Sequence, residues 1–191
     1  MPLTNSTAKT TTMKTSLFYL LVFLSTQLPK PANEWYTYQN QQFSIEFPQE
    51  PEVTKQNVPT AIGDIEMKIA SYEGPKNTDG NLAYVFISSI YPDSLINSGS
   101  KEKLPGFFRS SIDGAVKNVN GKLISEKVVT LNGFPGREAN VDYGNGLAII
   151  AVRMFLVKNH VYFVQTISEA GKADNENALR FHQSFKLKDP G

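Results

Sequence analysis

Residues 123–167 read LISEKVVTLNGFPGREANVDYGNGLAIIAVRMFLVKNHVYFVQTI, and this run decides the fold. Asn132-Gly133 sits between two segments rich in β-branched and alternating residues, the strongest short-range signal for a tight hairpin turn. It joins expected strands at 123–131 and 137–143. Asn145-Gly146 leads into a third at 147–157, and Lys158-Asn159-His160 into a fourth at 161–167. The third is apolar on both faces except at Arg153, so it needs cover on both sides. Connections this short build antiparallel pairs, since a parallel crossover takes a dozen residues or more.

Working outward, the same alternation recurs upstream. Residues 35–38 form an aromatic strand. In Phe43-Ser44-Ile45-Glu46-Phe47 the apolar side chains share one face, and Pro48 ends the strand. Strands follow at 53–58 and 64–72, the latter with Ile65, Met67 and Ile69 on one side. Asp79-Gly80-Asn81 turns the chain into a further strand at 82–91. Between these and the meander, Leu104, Phe107, Phe108, Ile112, Ala115, Val116 and Val119 recur at spacings of three and four, an amphipathic helix. Pro105 suits its first turn and Gly121 its end. Residues 173–185 carry Ala178, Phe181 and Phe185 on one side, a short closing helix. Strands, helix, hairpins and helix make an α+β domain over residues 34–188, a central antiparallel β-sheet flanked by helices.

The N-terminus points to export. Lys9 and Lys14 precede an apolar run at 16–24, followed by Ser25-Thr26-Gln27. A basic segment, a short apolar run and small polar residues make a signal peptide over residues 1–27, with cleavage near 25–28. Met13 before Lys14 is an alternative start. The run is far short of a membrane-spanning helix, and so is any other stretch. Residues 28–33, with Pro29 and Pro31, read as a stiff linker. The expected location is the periplasm or the cell exterior.

Composition removes several functions. The chain has 191 residues, with 19 basic against 18 acidic side chains and no basic stripe, so neither nucleic acid nor an anionic membrane is an expected partner. It holds no cysteine, which excludes thiol nucleophiles, thiolate metal sites and redox pairs. His160 and His182, the two histidines, have no carboxylate at metal-ligand spacing, so no metal or cofactor is expected. No Gly-x-Ser-x-Gly elbow or phosphate loop occurs, and Gly144-Asn145-Gly146 precedes a strand, not a helix. The expected class is non-enzymatic, with a hydrolase triad assembled only in three dimensions as a rival.

Arg153 stands out. Enclosed in an apolar strand, it needs a carboxylate partner, with Glu138 or Asp142 on the neighbouring strand as candidates. Two readings stand: a structural ion pair between strands, or a guanidinium grip on an anion or a peptide carboxylate. Arg137 and Glu138, as adjacent residues, face opposite ways. Tyr143 belongs to a set of amphipathic aromatics suited to a partner surface or to plain sheet packing. The candidate binding residues are therefore Arg153, Arg137, Glu138 and Tyr143.

Trp35-Tyr36 ahead of Phe43-Ser44-Ile45-Glu46-Phe47-Pro48, then Gly133-Phe134-Pro135-Gly136-Arg137-Glu138, paired long strands and a terminal Phe181-His182-Gln183-Ser184-Phe185 together resemble the PsbP-like family, whose fold is shared with Mog-type Ran-binding proteins. The likeness covers residues 34–187. It implies a central antiparallel sheet flanked by helices and non-enzymatic work: extrinsic photosystem II subunits, assembly helpers, small-GTPase binders and exported bacterial members. Photosystem members are associated with calcium and chloride, but no family ligand residue matches a position here. The expected function is an accessory protein of the cell envelope that engages a protein partner. A small-molecule or metal-ion binder, calcium included, is the alternative.

Overall fold

The computed structural model describes residues 34–60, 63–74 and 79–188; the expected signal peptide and linker lie outside them. Seven strands form one sheet: β3 (Glu52–Thr60), β4 (Gly63–Glu73), β5 (Asn81–Ile90), β6 (Lys122–Leu131), β7 (Phe134–Tyr143), β8 (Ala148–Val157) and β9 (His160–Glu169). Their spatial order is β3-β4-β5-β9-β8-β7-β6, antiparallel throughout. The turn between β6 and β7 is the one expected from Asn132-Gly133. Both residues take positive φ, at 50° and 84°, matching the twist of the strands they join.

Helix α1 (Leu104–Asn118) starts with its proline in the first turn. Its end differs in detail from the sequence reading. Asn120, not Gly121, takes the left-handed conformation (φ 49°), and the Gly121 and Asn120 amides bond back to Val116 O and Lys117 O. These two bonds satisfy orphan carbonyls of the last turn. Gly121 is needed for a different reason: a Cβ there would lie 2.6 Å from Val141 and 2.7 Å from the Asp142 carbonyl.

α1 lies on one face of the sheet. Phe108 and Ile112 pack on Met154, Leu156, Val161, Ala139 and Val152. The other face is aromatic, with Tyr84, Phe86, Phe155 and Tyr162. It is closed by a second sheet that the sequence reading did not separate from the first. That sheet comprises β1 (Tyr36–Gln39), β2 (Phe43–Phe47) and β10 (Lys186–Leu187), in the order β1-β2-β10. Phe43 meets Phe86 at 4.6 Å between ring centres, and Phe47 meets Phe181 at 5.0 Å. Each such ring, fully buried, contributes about 2–3 kcal/mol of transfer free energy. β8 is thus covered on both faces, as its apolar run, broken only at Arg153, requires.

Helix α2 (Glu176–Ser184) is shorter than the expected 173–185. Asn175 stays extended and its side chain accepts a bond from the Ala178 amide at 2.9 Å, so the helix starts after it. Asn175 also belongs to a buried polar knot. Asn81 donates to Tyr84 Oη (2.7 Å) and Asn175 Oδ1 (2.8 Å) and accepts from Ser168 Oγ (2.7 Å). Asp79 accepts from the Asn81 amide, Tyr84 and Asn177. Burial alone would raise the Asp79 pKa, but these donors outweigh it and hold the carboxyl below its ordinary value. The knot ties the start of α2 to β5 and β9 and fixes where the helix lies on the sheet.

Candidate functional site

One candidate site is a cleft between α2 and the strands β6, β7 and β8. Its floor follows from register. Leu131 opposite Phe134 across the two-residue turn places Lys127 opposite Glu138, and β7 in turn sets Glu138 opposite Arg153. Strand alternation then puts all three side chains on the face that α2 covers. Lys127 Nζ and Arg153 Nε each lie 2.7 Å from a Glu138 carboxylate oxygen, one cation on Oε1 and the other on Oε2. Two cations therefore share one anion. Burial would raise the Glu138 pKa, yet the bonds from Lys127 and Arg153 prevail and lower it. Val129, Leu131, Phe155 and Phe185 supply apolar walls to an open volume of about 410 Å³.

His182 forms the helix side of the cleft. Its Nε2 lies 3.2 Å from the Thr166 hydroxyl, which is fully buried. The residue as a whole is half-buried, but Nδ1 is sealed from solvent and has no hydrogen-bond partner. If Thr166 donates to Nε2, the proton resides on Nδ1, the arrangement that satisfies the buried hydroxyl. Burial first, and the Arg153 cation second, push the His182 pKa down to about 4, with Glu138 opposing weakly. Behind the ring lies a small cavity of about 70 Å³ that Glu138, Asn140, Arg153, Asp174 and Leu179 also line.

This geometry is poor for nucleophilic catalysis. The hydroxyl on His182 belongs to a threonine with no access to solvent, and the second ring nitrogen meets no acid. A triad needs both an accessible hydroxyl and an orienting carboxylate. His160 sits at the start of β9, where its Nε2 is 3.1 Å from the side-chain Nε2 of Gln42 and its ring stacks on Tyr162. Among the described residues, no group of three or more His, Asp or Glu could hold a metal ion.

The four residues singled out in the sequence do not converge. Arg153 and Glu138 meet, and Glu138 is the partner chosen from the two carboxylates considered. Asp142 instead accepts from the Gly146 amide at 2.7 Å. Arg137 lies on the opposite sheet face, its guanidinium 4.9 Å from the centre of the Phe108 ring and its Nε 3.4 Å from Glu126. Tyr143 is at the far end of β7, half exposed. Lys127, His182 and Thr166 were missed. Lys127 was within reach, because the two-residue turn alone fixes its place opposite Glu138. His182 carried a weaker signal, four residues after Ala178 and three before Phe185, inside the apolar stripe of its helix. Thr166 carried none.

No helix among the described residues is long and apolar enough to cross a membrane. No protein-family model matches the chain, and no curated protein matches it either.

Proposed function

We propose that this is an exported, non-enzymatic accessory protein of the cell envelope that holds a protein partner at the α2 cleft. The observation that carries the reading is the floor of that cleft. Lys127 and Arg153 share the single carboxylate of Glu138, which leaves one positive charge uncompensated beside an apolar wall. An acidic side chain or a chain-terminal carboxylate carried on an apolar segment matches both features, since a guanidinium and an ammonium favour carboxylate oxygens. The open shape suits a chain segment better than an enclosed small molecule. The proposal includes a PsbP-like fold, supported by the order of the elements and by the antiparallel sheet with a helix on each face. It includes signal-directed export, supported by the basic and apolar pattern of residues 9–24.

Affinity capture from an envelope extract, with the native protein beside an Arg153→Met variant, tests the reading. A stoichiometric protein retained by the native bait and lost with the variant supports it. Capture that ignores Arg153→Met moves the partner to another surface. Well-folded native bait that retains nothing refutes the partner reading, and a small carboxylate that binds directly would replace it. Export is checked on the same material: a mature protein that still carries Lys14 and fractionates with cytosol sinks that part.

A further inference from the structure

The two edges of the seven-stranded sheet are built differently. At one edge β3 carries Lys55 and Asn57 and ends near Pro59, whose nitrogen cannot donate to an added strand. Those are the devices that keep a sheet edge from pairing with another chain. At the other edge β6 also carries charges, Lys122, Glu126 and Lys127, but it has no proline, and Ile124 and Val128 are exposed, Val128 at 69%. Among the described residues β6 pairs with β7 alone, so its outer row of backbone groups has no strand partner.

The ladder between β6 and β7 slips once, between Leu123 and Ser125, with Ile124 as the extra residue. Such a bulge breaks the regular edge at that point. From Ser125 to Leu131 the register is continuous, seven residues with Val128 in the middle. Two copies of that segment running antiparallel with full overlap must therefore centre on Val128. In that register Val128 faces its own copy, Lys127 faces Val129, Glu126 faces Thr130 and Ser125 faces Leu131. No like charges are opposed. Centring on Glu126 or Lys127 instead would set two carboxylates or two ammonium groups against each other, which destabilises a strand pair. Centring on Val129 would shorten the overlap to five residues.

We infer that β6 is a self-association edge: two copies of this chain pair their β6 strands antiparallel about a two-fold axis at Val128, joining the two large sheets into one. The edge offers backbone hydrogen bonds, the exposed valine supplies an apolar contact on the axis, and the bulge at Ile124 limits the register to one. A single strand pair buries less surface than a standard interface, so the dimer is weak and its population depends on concentration. The inference does not depend on the envelope partner, because it is read on the pure protein.

Sedimentation of the full chain, from low micromolar to near millimolar concentration, tests it. The native protein goes from monomer to dimer over that range. Val128→Lys, which sets two ammonium groups on the axis, weakens the dimer at least tenfold. Leu147→Lys, at a residue 74% exposed on the turn between β7 and β8, leaves it unchanged. The chain's lack of cysteine allows a check of register that does not rely on a disruptive variant. Val128→Cys oxidises to a covalent dimer, whereas Thr130→Cys, set opposite Glu126 of the other copy, does not. A native protein that stays monomeric throughout overturns the inference. So does a dimer that is lost with Leu147→Lys but not with Val128→Lys, or one that crosslinks no better through position 128 than through 130.

Discussion

Replacing His182 with glutamine removes one titrating group from the interior while keeping a polar end near Thr166. The folded protein holds this imidazole at a pKa of about 4, against an ordinary value of 6.5. A value depressed by folding means that the unfolded chain binds the proton more readily. The stabilisation is therefore complete above pH 6.5 and is lost as the pH falls toward 4. The gap is about 2.5 pH units, and at about 1.4 kcal/mol for each the histidine alone removes about 3 kcal/mol of folding stability across that window. For a domain of this size that corresponds to roughly 6–12 °C in Tm. The charged groups around the ring are Arg153 from β8, Glu138 from β7, Asp174 ahead of α2 and, across the cleft, Lys127 from β6. Glu138, with its own pKa below the ordinary 4.5, loses its contribution only at lower pH, so the two effects separate. Urea unfolding at pH 7.0, 6.0, 5.0 and 4.5 measures the difference. The native protein should lose stability steeply below pH 6.5, and His182→Gln should flatten that part of the curve. Parallel curves for the two proteins would refute the reasoning, because they would mean that the imidazole is charged freely in the folded state.

Two further outcomes follow from packing. Asn81→Ala strips the knot at the start of α2 of its hub, leaving Ser168, Asn175 and Tyr84 short of partners, and should cost about 3 kcal/mol in urea unfolding. Hydrogen exchange should then show α2 opening before the sheet, and a uniform loss across the domain would contradict the assigned role. Gly136→Ala places a methyl 2.6 Å from both the Met154 carbonyl and the Phe155 ring, and should cost about 2–3 kcal/mol by prying β7 from β8. An alanine variant as stable as the native protein would show that the strands can separate there without penalty.

Local features of the sequence account for most of the elements and for part of the site. The Asn132-Gly133 turn determines the pairing of β6 with β7 from Leu131 back to Ser125, because a two-residue loop leaves only one register up to the bulge at Ile124. The alternation in residues 43–47 and the apolar run in residues 147–157, broken only at Arg153, state which side chains are buried. The meeting of Arg153 with Glu138 follows from the next hairpin, and the opposed directions of Arg137 and Glu138 follow from the pleat. All of these are interactions between neighbours in the chain, or consequences of a period of two.

What lay beyond the sequence involves partners far apart. Periodicity says that Phe43, Ile45 and Phe47 point inward, but not which surface they meet, so the separate small sheet and its pairing with residues 186–187 came only with the tertiary structure. β5 pairs with β9 across some seventy intervening residues, and no short-range signal encodes that choice. The site depends on it. Thr166 on β9 meets His182 on α2 only because the Asn81 knot, assembled from β5, β9 and the start of the helix, seats α2 on that strand. A turn or an alternating strand is determined by steric and hydrophobic preferences acting within a few residues. The seat of a helix on a sheet is decided by which burial, among many similar ones, also leaves the fewest polar groups unsatisfied, and that comparison exists only once the whole chain is folded.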